Sequence, residues 1–155
     1  MADSKIPSVE TWTEVVRECA ANVGPAMGLP PCQVLGTLKV PAAGLSGVAI
    51  TLEGEKPHVL IGVLSNSAGR AAIARAVFQM QPSESPKPED ETDAVGELAN
   101  VISGHVKAAM SRIDGKMRIG LPYAVKADAF VPKPDQVTLR VSFGSVPAAL
   151  VVTLL

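Results

Sequence analysis

The stretch Thr92–Met110, TDAVGELANVISGHVKAAM, decides how this chain is read. Val95, Leu98 and Ile102 recur at helical spacing, with Ala109 and Met110 continuing the apolar set, which predicts an amphipathic helix from Glu91 to Ser111. Asp93, Glu97, Asn100 and Gly104 follow one another at steps of four, three and four, and a helix lines such residues up along one face. The apolar stripe lies on a different face and can hold the helix on a sheet. The expected result is an acid and an amide carried on a rigid element, with Gly104 leaving room beside them. The bland reading has the same spacing: any solvated helix face carries polar residues, and Asp93 in a first turn suits the helix dipole.

Upstream of this helix, Thr11 to Met27 reads as a helix through Val15, Cys19 and Val23, broken by Gly24-Pro25 and Gly28 to Pro31. Strands are expected at Gln33–Val40, Ser46–Leu52 and His58–Leu64, the last two as an antiparallel hairpin across Glu53 to Pro57. Asn66 and its serine neighbours offer N-cap side chains for a helix over Ala68–Met80, with Ile73, Val77 and Met80 on its sheet-facing stripe. QPSESPKPEDE, residues 81–91, is rich in proline and charge and reads as a solvated linker. Downstream, strands are expected at Met117–Leu121, Ala124–Phe130, Val137–Phe143 and Ala148–Leu155. Strands and helices in this order predict an α+β fold with a mainly antiparallel sheet, not a repeating βαβ plan.

Composition sets the outer limits. The 155 residues are 47% apolar and 19% charged, which suits a single domain, read here as residues 10–155 after an N-terminal extension of residues 1–9. Fourteen basic against fifteen acidic residues give a formal charge of −1, which argues against nucleic acid as partner. Cys19 and Cys32 lack metal or redox spacing and read as reduced thiols. No signal-peptide pattern and no apolar run of membrane-spanning length is visible, so a cytoplasmic protein without membrane insertion is expected. The histidines form no ligand cluster: His58 opens a strand, and His105 lies off the polar row. A Gly-rich phosphate loop and a nucleophile elbow are also missing.

The same helix, followed by MRIGLPYAV, resembles the signature of the CheC/CheX/FliY group of chemotaxis phosphatases, and most closely CheX. That pattern is Asp or Ser, three residues, Glu, two residues, Asn, and a later proline. Asp93, Glu97 and Asn100 match it, and Pro122 follows after a stretch one residue shorter than the family's, with Asp114-Gly115 as the place of the deletion. The element order agrees from about residue 10 to the end. Glu18 and Asn22 on the first helix are four apart, not three, so one active site is expected.

The resemblance implies a CheC/CheX-like fold and a phosphatase acting on the phospho-aspartate of a CheY-like response regulator. Asn100 would place the attacking water and Glu97 would pair with a regulator lysine. Asp93, Gly104 and Pro122 would support them. It implies no cofactor or metal of its own, since Mg²⁺ belongs to the regulator, and a homodimer formed by extending a sheet across subunits. The alternative is a catalytically silent CheX-fold adaptor that binds a response regulator or another signalling partner.

Overall fold

The computed structural model describes residues 7–55 and 57–155. Among them, three helices and seven strands form an α+β fold in which every strand pair is antiparallel. The helices are α1 (Val9–Ala26), α2 (Ser67–Val77) and α3 (Pro88–Ala109). The strands are β1 (Cys32–Leu38), β2 (Ser46–Glu53), β3 (Pro57–Ser65), β4 (Arg118–Ile119), β5 (Tyr123–Lys126), β6 (Gln136–Phe143) and β7 (Val146–Leu154). The sheet runs β1-β6-β7-β3-β2, and both β4 and β5 pair with the far side of β2.

Alternation along the strands separates two faces. Val59, Ile61 and Val63 of β3 join Leu150 and Val152 of β7 and Ile50 of β2 in the main core, where the helices cover them. Trp12 and Val16 of α1, Ile73 of α2 and Val95, Leu98, Ile102 and Val106 of α3 complete that core. Leu64, Ala149 and Val151 point to the opposite face, where Leu45 and Phe130 pack over them. Buried Gln136 ties the covering segments down. Its Nε2 donates to the carbonyls of Lys39 and Val131, both at 3.0 Å, and its Oε1 accepts from Thr153 Oγ1 at 3.0 Å.

Local signals explain the helix starts. Ser8 Oγ accepts from the Thr11 N–H at 3.2 Å, and Asn66 Oδ1 accepts from the Gly69 N–H at 2.7 Å. Helix α3 begins three residues before the expected Glu91. Pro88 occupies its first turn, where a missing N–H costs nothing, and Asp90 accepts from the Lys87 N–H at 3.0 Å. The linker expected over 81–91 therefore ends at Lys87. The expected N-terminal extension loses Val9, which is buried in α1, and its residues 1–6 lie outside the described residues.

The helical stripe also needs correction. Val106 is buried where Ala109 was expected, and Ala109 is exposed at the helix end. In α2 the helix stops at Val77, which leaves Met80 beyond it. Downstream, the expected strand over 124–130 is β5 followed by one 3₁₀ turn, Ala127–Ala129. The expected strand over 117–121 shortens to β4, because the chain breaks its pairing with β2 between the two short strands. The Gly120 N–H still reaches the Thr51 carbonyl at 2.8 Å, but Pro122 has no N–H to continue the ladder. Leu121 is pushed out at that break and is 89% exposed.

Candidate functional site

Helix α3 lies on the sheet beside β2, between α1 and α2. Its core stripe is fully buried, which fixes the rotation of the helix and so the direction of its polar row. Asp93, Glu97 and Asn100 emerge on the side facing β5, and all three are exposed. They line one wall of an open groove of about 510 Å³, together with Thr92 and Gly96. The other wall is Pro122, Tyr123 and Ala124, and Val48 of β2 forms the floor. Gly96 keeps the middle open, since a Cβ there would meet nothing closer than Val48 Cγ2 at 3.8 Å.

Four of the five residues singled out in the sequence therefore share one groove: Asp93, Glu97, Asn100 and Pro122. Gly104 stands apart, with its vacant side-chain position facing Ile119 Cδ1 of β4 at 3.8 Å. Thr92, Gly96, Tyr123 and Ala124 also line the groove and were not anticipated. Gly96 had a visible signal, since it stands one turn before Asn100. Tyr123 is placed by its pairing with Ala49 of β2, a contact distant in sequence that no local pattern announces.

Among the described residues, Asp93, Glu97 and Asn100 form no side-chain hydrogen bond or ion pair. An acid and a carboxamide stand one turn apart with their hydrogen-bonding capacity directed at solvent. Such a pair can grip a cationic donor through the carboxylate, and it can accept and donate at once through the amide. Among the described residues no group of three or more His, Cys, Asp or Glu side chains could hold a metal ion. No helix among them is long and apolar enough to cross a membrane. His58 is instead a structural partner: its Nε2 lies 3.1 Å from Asp114 Oδ2, and Trp12 stacks on its ring at a centroid distance of 6.3 Å. That bond and the Lys116 N–H hold the Asp114 carboxyl below its ordinary value.

The profile of the family described as Chemotaxis phosphatase CheX matches residues 46–140, which span β2 to β6 and include the whole groove. The chain belongs to the CheX family. Solved structures give the same fold across nearly the full length. A CheX from Desulfovibrio desulfuricans superposes with a TM-score of 0.74 at 19% identity, covering 94% of this chain and 99% of that one. CheX from Vibrio vulnificus gives 0.70 at 16% identity, with 94% and 99% covered. A CheX–CheY–BeF3–Mg complex from Borrelia burgdorferi gives 0.66 at 13% identity, with 97% and 99% covered. No curated protein matches the sequence.

Proposed function

We propose that this CheX-family chain is a phosphatase that hydrolyses the phospho-aspartate of a CheY-like response regulator in the cytoplasm. The observation that carries the reading is the groove itself, which holds Glu97 and Asn100 exposed and unpaired beside Pro122. The family's description as a chemotaxis phosphatase supports the reaction class, and the CheX–CheY complex among the structural relatives supports the partner.

An acyl phosphate is already activated, so the enzyme's task is positioning. Water attacks phosphorus, the bond from phosphorus to the aspartyl oxygen breaks, and the products are inorganic phosphate and the free aspartate carboxylate. The Asn100 carboxamide accepts a hydrogen bond from the water through Oδ1 and donates through Nδ2 to a phosphoryl oxygen, remaining neutral throughout. Holding one water in line in this way lowers the barrier by roughly 3–4 kcal/mol, two to three orders of magnitude in rate. Glu97 pairs with a lysine of the regulator, which fixes the register and draws that cation from the phosphoryl group. Asp93 and Pro122 support the groove from either side, and Gly104 supports it only from below, against β4. Mg²⁺ is supplied by the regulator.

Tyr123, half exposed on the wall opposite Asn100, adds apolar docking area to the groove. The homodimer is assigned to β1, an edge strand with Val34, Leu35 and Leu38 exposed. The two catalytic roles separate in steady-state kinetics with a phosphorylated regulator. Glu97→Gln raises KM about tenfold, as loss of a docking charge pair does. An unchanged KM in that variant would remove Glu97 from docking.

A further inference from the structure

The groove does not end at Asp93. Beyond Thr92 and Ala124, which line both spaces, it opens into a second pocket of about 230 Å³. Ser46 and Gly47 at the start of β2 form its base, and Arg70 of α2 and Lys126 of β5 stand at its sides. Thr92 lies about 12 Å along the helix axis from Asn100, at 1.5 Å per residue. The trough thus changes sign along its length, from Glu97 and Asp93 in one part to two cations in the other.

Neither cation is neutralised by a carboxylate among the described residues, since none lies within ion-pair distance of Arg70 or Lys126. Arg70 is nonetheless held in place, because its Nη1 donates to the Ser65 carbonyl at 2.7 Å. That bond leaves the rest of a guanidinium fork to meet an acceptor, and a carboxylate fits the fork. In a chain whose net charge is −1, two unpaired cations around one pocket are a local feature, and they raise the potential there.

We propose that this basic pocket is a second docking point, which receives a carboxylate side chain of the same response regulator whose phospho-aspartate meets Asn100. The inference rests on the phosphatase reading for the identity of the partner. One contact fixes a point and two fix an orientation, so the pair of sites sets the angle at which the regulator's phosphoryl group meets Asn100. It also makes the pocket a determinant of which regulators are accepted, since a basic residue at the matching place is repelled.

The test is the Kd of purified CheY-like regulators from the same genome, phosphorylated with acetyl phosphate in Mg²⁺, alongside their rate of dephosphorylation. Lys126→Glu is expected to weaken binding about fivefold to tenfold, while Lys126→Arg stays within about twofold of wild type. Lys133→Glu changes net charge equally on the segment that crosses the opposite face, and is expected to leave Kd unchanged. Equal effects of Lys126→Glu and Lys133→Glu, or none from either, would overturn the pocket's role. Wild-type binding without faster dephosphorylation would overturn the hydrolytic reading alone, with the Kd comparison still deciding the pocket. A wild type that binds no regulator overturns both.

Discussion

In the proposed reaction Asn100 and Glu97 do different work although they stand one turn apart, and the difference is chemical. A carboxylate binds a cation well but cannot donate when ionised, whereas a carboxamide accepts and donates hydrogen bonds without charge. Asp114 shows the opposite use of an acid, as a fixture. It holds His58 at 3.1 Å and accepts from the Lys116 N–H at 2.9 Å, joining the α3–β4 connection to the start of β3. Gly54 leaves room beside it, since a Cβ there would displace the Asp114 carboxylate. The lowered pKa of Asp114 means the carboxylate form stabilises the fold above the ordinary aspartate range, and that contribution is lost as pH falls through the folded value. Thermal unfolding across pH 3 to 7 is therefore expected to show Asp114→Asn less stable than wild type near neutrality, with the gap closing toward acid. A gap of constant size would contradict this.

At the scale of elements, α3 explains why the site was legible. Its core stripe and its polar row share one period, so burying Leu98 and Ile102 necessarily turns Glu97 and Asn100 outward. Ile102→Ala is expected to cost about 2–5 kcal/mol in urea unfolding, because the side chain is fully buried under the sheet-facing side of the helix. A cost below about 1 kcal/mol would mean that α3 is held by something else. The start of α3 was less legible, since PKPEDE reads as solvated linker by composition. The same letters hold a proline for the first helical position and acids for the first turn, and those start signals decide. The second wall was hidden for a different reason. It forms only because β4 and β5 pair in turn with β2, a contact between residues distant in sequence. Pro122 could be placed by resemblance, but Tyr123 and Ala124 needed the sheet.

For the whole molecule, the sheet has two unlike edges. On the β2 side, the broken β4–β5 edge is one wall of the groove, so the groove is built on an edge that does not pair regularly. On the other side, β1 leaves an apolar edge with Leu35 half exposed, and a second copy is the occupant assigned to it. Sedimentation is expected to give a dimer for wild type and a monomer for Leu35→Lys, whereas a monomeric wild type across a wide concentration range would contradict the assignment. The two edges lie on opposite sides of the sheet, so the proposed dimer would leave both grooves open. Hydrolysis at the groove is read from the decay of a phosphorylated CheY-like regulator with wild type and with Asn100→Ala. Wild type is expected to accelerate decay, and the variant to lose about a hundredfold or more of that acceleration while its Kd for the regulator is retained. Undiminished acceleration by Asn100→Ala, or none by wild type that binds the regulator, would contradict the account.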